Sequence, residues 1–171
     1  NGAGKSTLLA EMAERGMHCI SYDKKFVGQE TALINDLRGA FLKRALPAAG
    51  GVYSSDFIVT LLQTSVIYLR DEMLRAPAGD RPVVIDSYYY KVLAKCRLTG
   101  LVNEHMFAWW RAFPQPEQVI FIDVDPRTAW RRCGEGAQLN PFEYYGATPT
   151  WAGFRTFQND LRRLLIEEVH A

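Results

Sequence analysis

The sequence predicts an α/β domain of three layers built on a parallel sheet. Three observations carry that prediction. Helical and strand-like stretches alternate along most of the chain. Two apolar runs, 81–86 and 118–124, have the composition of strands buried on both faces. A glycine-bearing turn, Asn1-Gly2-Ala3-Gly4-Lys5-Ser6-Thr7, leads directly into an amphipathic helix.

The first helix is expected over 5–15, with Leu8, Leu9 and Met12 as its apolar stripe and Gly16 as its stop. A short strand follows at 17–22 and ends at Asp23. A helix is expected near 30–43, with Leu33, Leu37 and Leu46 at helical spacing, then a loop at 47–51. Asp56 is placed to cap a long helix reaching about 75, with Phe57, Leu61, Ser65 and Tyr68 along one line. The strand 81–86 ends at Asp86. Helical sequence covers 89–112, interrupted near Gly100. The strand 118–124 runs into Asp125-Pro126, where proline opens a short helix carrying Trp130, Arg131 and Arg132. The polar, Gly- and Pro-bearing stretch 133–150 is expected to be a flexible loop, and 151–169 a final amphipathic helix.

A chain of 171 residues suits one domain with one core. Its 48% hydrophobic and 23% charged content is ordinary for a globular protein. The net charge of +1 gives no strong pull toward nucleic acid or a membrane surface, so neither is expected as a partner. No stretch approaches the roughly 18 apolar residues of a membrane span. Cys19, Cys96 and Cys133 lie far apart, form no metal-ligand spacing, and read as reduced thiols of a cytoplasmic protein. His18, His105 and His170 have neither ligand nor triad spacing.

Gly4-Lys5-Ser6 is the end of the pattern G-x-x-x-x-G-K-[ST], which cradles nucleotide phosphates. Glycines let backbone amides approach the phosphates, and the helix start adds partial positive charge. Asn1, Gly2, Ala3, Gly4, Lys5, Ser6 and Thr7 are the expected nucleotide-binding residues. Lys5 reaches the β- and γ-phosphates, Ser6 ligates Mg²⁺, and Thr7 touches the α-phosphate. The expected cofactors are therefore ATP and Mg²⁺. The pattern's first glycine and its strand fall before Asn1. The expectation is a P-loop NTPase fold lacking the P-loop strand and the last strand. It has three parallel strands, with a gap between those ending at Asp86 and Val124, and binds ATP poorly by itself.

Transporter-type ATPases spell this loop similarly, but they need a strand ending Asp-Glu and a Ser-Gly-Gly-Gln signature, and neither is present. Small GTPases need Asn-Lys-x-Asp, also absent. Asp36-Leu37-Arg38-Gly39 matches their Asp-x-x-Gly only in form, because it falls inside a helix. The chain instead resembles thymidylate kinase and its relatives among nucleoside and nucleotide kinases, through spaced short matches over most of its length. Val83-Val84-Ile85-Asp86-Ser87-Tyr88 resembles that family's strand followed by Asp-Arg-Tyr. Gly100-Leu101 resembles the Gly-Leu that comes next. Phe121-Ile122-Asp123-Val124-Asp125-Pro126 with Arg131-Arg132 is similar to the block leading into the family's lid, and Phe154-Arg155-Thr156-Phe157-Gln158 to the helix after it.

The resemblance implies one partial P-loop kinase domain over 1–171, with a lid at about 131–150. It implies an ATP-dependent transferase moving the γ-phosphate to a small-molecule acceptor, dTMP-like. It also implies a homodimer through the long helices as an expectation. Lys5, Asp86, Arg131 and Arg132 are the expected catalytic residues. Asp23, Phe57 and Tyr88 are the expected acceptor contacts, and Ser6 and Asp86 the metal ligands. Asp123 and Asp125 are expected to shape the turn into the helix at 126, and Trp109-Trp110 to pack. There are departures. The family's arginine after the strand acid is Ser87 here, and another expected near Ile67 is missing. Both bind the acceptor phosphate in the family. Lys24, Lys25 or Arg38 could supply charge in their place. Asp23 stands where deoxynucleoside kinases keep an acid that accepts a hydroxyl proton. A nucleoside or other hydroxyl-compound kinase, or a non-catalytic ATP-binding relative, are therefore the alternatives.

Overall fold

The structure, a computed structural model, describes residues 3–48, 51–77, 79 and 81–170. Its sheet has two parallel strands, β1 (His18–Ile20) and β2 (Val83–Ile85), paired in the register His18 to Val83, Cys19 to Val84 and Ile20 to Ile85. Helix α1 (Lys5–Glu14) precedes β1 and packs on it through its one buried residue, Leu9. Between the strands come α2 (Leu33–Ala40) and α3 (Ser55–Arg75). After β2 come α4 (Tyr88–Leu98), α5 (Glu104–Arg111), α6 (Pro126–Arg132) and α7 (Trp151–Val169). The result is an α/β arrangement with a small parallel sheet. No helix among the described residues is long and apolar enough to cross a membrane.

Helix α3 is the centre of the core. Ile58, Val59, Leu62, Val66 and Leu69 recur at helical spacing and are buried against β1, α4 and α5. This line is displaced by one position from the expected one, and Phe57 lies outside it, exposed. The cap also differs. Ser54 accepts from the Phe57 amide at 3.2 Å, while Asp56 sits in the first turn and accepts from Asn103 at 2.8 Å. A hydroxyl one residue before the helix reaches the free amide that a residue already inside the first turn does not. On α2 the buried face is Ile34, continuing to Phe41 and Ala45 through a wider turn, Phe41–Ala45. Leu33 and Leu37, expected inside, are exposed.

The expected third strand is not formed. Residues 118–124 join no ladder, and Val119, Ile120 and Phe121 are exposed, Ile120 by 65%. An apolar run becomes a strand only beside a chain that completes its backbone hydrogen bonds. Here a groove of about 1760 Å³ is bordered by 118–124, by β2 and by Leu161, Leu165 and Ile166 of α7. The stretch 133–150 has no helix or strand, as expected, yet it is anchored. Phe142 is buried edge-on to Phe41 with ring centroids 6.2 Å apart, and the Glu143 carboxylate lies 3.6 Å from the Lys95 ammonium. Asp125 caps α6 by accepting from the Thr128 amide, and Asp123 pairs with Arg162, in line with structural roles. Trp110 is buried, whereas Trp109 is exposed. Cys19, Cys96 and Cys133 are all free thiols.

Helix α7 closes the back of α4 through Phe157 and Leu161 against Ala94. Phe157 has no exposed surface, whereas Ile166 is exposed along the groove. Phe157→Ala is therefore expected to cost about 3–5 kcal/mol. Ile166→Ala is expected to cost under about 1 kcal/mol. Urea unfolding of both variants checks the pair.

Candidate active site

The glycine turn places the first helix. Gly4 has φ of 80°, the left-handed region, immediately before α1. A side chain there would meet no atom within 4 Å, so the constraint on this position is backbone strain and not space. The Leu8 amide donates to the Gly4 carbonyl at 3.1 Å, which leaves the amides at the helix start without intrahelical acceptors. Lys5, Ser6 and Thr7 occupy that first turn. Asn1 and Gly2 lie outside the described residues.

Asp86 is positioned by the strand register. The Asp86 amide donates to the Ile20 carbonyl at 2.9 Å, one step past the Ile20–Ile85 pair, and this brings Ser21 beside Asp86. Ser21 donates its hydroxyl to Asp86 Oδ2 at 2.8 Å, and Ser87 donates to Oδ1 at 2.7 Å. The Lys5 ammonium is ion-paired to Oδ1. Ser21 also accepts from the Asp23 amide at 3.0 Å. Asp86 is 5% exposed. Burial pushes its carboxyl up, but the Lys5 charge and the hydrogen bonds from Lys5, Ser87 and Ser21 outweigh burial and hold it below the ordinary aspartate value. Ser87 has φ of 65°, an uncommon conformation for a residue with a side chain, and it is held where its hydroxyl faces the acid.

The groove beside Asp86 gathers most of the residues expected from the sequence. Ala3, Gly4, Lys5, Ser6, Thr7, Asp23, Asp86 and Tyr88 all line it. Tyr88 is buried, and its hydroxyl has no hydrogen-bond partner among the described residues. Burial pushes that phenol up to about 12, with Arg70 opposing. Arg132 lines a smaller hollow with Gly4, Thr7, Leu8 and Glu11, beside the start of α1. Arg131, one residue earlier, is exposed and borders neither. Phe57 does not join the site; it stacks on Tyr53 with centroids 4.7 Å apart at the outer end of α3. His18, His105 and His170 are exposed, and no group of three metal-ligating side chains occurs among the described residues.

Three further residues complete the wall, and Ser21 lies behind it on Asp86, brought there by the parallel register. Arg38, from α2, lies over the Tyr22 ring at 4.5 Å from its centroid. Lys91 and Lys95, from α4, also border the groove. Their signal was two lysines one turn apart on a helix whose other residues there, Leu93, Ala94 and Cys96, are buried. Lys24 and Lys25 are exposed and do not line the groove.

The chain is similar to a probable thymidylate kinase of Archaeoglobus fulgidus, with 26% identity over 151 residues, 84% of this chain and 70% of that protein. No family model matches the chain. No solved structure matches it. The likeness to that relative, together with the lysine–aspartate pair at the helix start, supports a thymidylate kinase-like, nucleotide-handling transferase at this coarse level.

Because the folded Asp86 carboxyl titrates below its ordinary value, its contribution to stability is present above about pH 4. It is lost as pH falls through the lower folded value. Asp86→Asn is expected to cost about 1–3 kcal/mol at pH 6, the half-open Lys5 side moderating the effect. The gap from the parent should narrow below pH 4. Urea midpoints measured from pH 3 to 7 give this directly; a gap that stays constant with pH contradicts it.

Proposed function

We propose that this chain is the phosphate-handling part of an ATP-dependent phosphotransferase resembling thymidylate kinase, which moves the γ-phosphate of ATP to a nucleotide acceptor of dTMP-like kind. The observation that carries the reading is the Lys5–Asp86 pair, set between a left-handed glycine at a helix start and the end of a strand. Such a helix start offers backbone amides and partial positive charge to phosphate oxygens. Lys5 leaves Asp86 to follow the β- and γ-phosphates as ATP enters. Ser21 and Ser87 remain on Asp86 and keep it ionised and oriented while Lys5 is away.

Ser6 and Asp86 border the same groove, and both offer hard oxygen donors. That set fits Mg²⁺, which takes one or two protein oxygens and fills its remaining positions from phosphates and water. When bound, the ion neutralises charge on the transferring group. Arg132, beside Gly4 and Thr7, stands where a cation can meet phosphate charge that grows during transfer. The stretch 131–150 is the candidate lid, shielding the reaction from water.

Asp23 supports a second reading. It borders the groove three residues past β1, and a carboxylate there could take the proton of a hydroxyl acceptor. A nucleoside kinase would depend on it, whereas a nucleotide kinase would not.

Assay of phosphoryl transfer from ATP to a panel of nucleosides and nucleotides tests the proposal. Lys5→Met is expected to lower kcat/KM at least about 100-fold. Lys5→Arg keeps the ion pair but replaces a compact charge with a fork, and it should keep the fold while losing most activity. No transfer to any member by the full-length protein would sink the reading. Asp23→Asn separates the two acceptor classes, since only a hydroxyl acceptor loses its base.

A further inference from the structure

The two positions where the resembled family keeps acceptor-phosphate arginines offer no cation here. Ser87 is turned onto Asp86, and Ile67 is packed against the core. The groove, whose lining holds six Lys or Arg and six Asp or Glu, nevertheless gathers cations at another place. Lys91 and Lys95 are one turn apart on α4 and both border it, so they form a like-charged pair on one face. Lys5, from α1, and Arg38, from α2, border it as well.

The carboxylates nearest these cations are already engaged. Asp86 holds Lys5, and Glu143 lies against Lys95 at 3.6 Å. Lys91 feels Lys95 and Lys5 as like charges and Glu143 and Asp86 as opposite ones. Each acid is committed to one of the other lysines. Lys91 makes no hydrogen bond or ion pair with any described residue, and Arg38 has only the face of Tyr22. Burial, followed by the charges of Lys95 and Lys5, pulls the Lys91 ammonium down to about 7. Holding such a group among like charges is unfavourable unless an anion joins it.

We propose that Arg38, Lys91 and Lys95 form the seat of an anionic group on the acceptor, so that this chain phosphorylates a phosphate monoester and not the matching free nucleoside. This rests on the kinase reading above. The geometry supplies a guanidinium fork from one element and two ammonium groups from another, facing the groove that holds Asp86. The chemistry balances without a base. An oxygen of the acceptor phosphate dianion bonds to the γ-phosphorus of ATP, and the bond to the bridging β–γ oxygen breaks with its electron pair leaving on ADP. The total charge of minus six is unchanged, and no proton moves.

The test uses dTMP, UMP, CMP, AMP and GMP with their nucleosides, measured by calorimetry without ATP and by transfer with ATP. At least one monophosphate should bind, and its nucleoside should bind at least about tenfold more weakly. Lys91→Met and Arg38→Met should each raise the monophosphate Kd and KM about tenfold while leaving the KM for ATP within about twofold. Lys91→Arg should restore most of the affinity. Lys91→Met removes a like charge from the groove, so its urea midpoint should not fall, which separates a lost ligand contact from a damaged fold. Tight binding of a nucleoside over its monophosphate, or monophosphate affinity unchanged in both methionine variants, overturns the proposal. Failure of the full-length protein to transfer phosphate from ATP to any member removes the kinase reading instead, and the monophosphate titration still decides the seat.

Discussion

The structure turns on one ion pair, Lys5 with Asp86, which ties the start of α1 to the end of β2 across 81 residues of chain. Neither residue is well placed without the other. Asp86 is buried, and a buried carboxylate stays charged only when charge and hydrogen bonds oppose the cost of leaving water. Lys5 supplies the charge, while Ser21 and Ser87 supply hydroxyls from both flanks. The β1–β2 register exists in service of this arrangement as much as of the core, since a slip of one residue would carry Ser21 away from Asp86.

The same pair explains the surroundings. An ammonium held by a carboxylate is a stored cation that phosphate can compete for. The groove around it is lined by backbone amides at one end and by Arg38, Lys91 and Lys95 at another. Glu143 reaches Lys95 from the stretch 133–150, so a segment without regular structure is fastened to the wall of the groove. Phe142, wedged on Phe41, adds an apolar anchor beside it. Movement of this segment must break both contacts. That gives any closing motion a physical cost and a place to be sensed.

Much of this was legible in the sequence. The glycine turn, the two strand acids and the start and end of α7 follow from local chemistry, because each depends on neighbours within a few residues. The buried faces of α2 and α3 were misread by a single position. Leu33 and Phe57 satisfy a helical period, but Ile34 and Ile58 are the buried residues, Ile58 as part of the main core. Periodicity gives the existence of a face, and tertiary packing chooses its phase. The strand at 118–124 failed for a related reason: its apolar composition is real, but pairing needs a partner beside it. Ser21 gave no signal as a site residue and the lysines of α4 gave only their spacing, because serine and lysine are ordinary in isolation. Only the register and the helix orientation make them neighbours of Asp86.

The most direct test of the account follows the Lys5 ammonium itself. Nuclear magnetic resonance of the Lys5 Nζ and the Asp86 carboxyl carbon can be recorded while the protein is titrated with Mg²⁺ and a non-hydrolysable ATP analogue. The account predicts that both signals shift together and saturate in one binding process, as Lys5 exchanges its carboxylate for phosphate. A Lys5 signal that stays in its carboxylate-paired position at saturating nucleotide contradicts it.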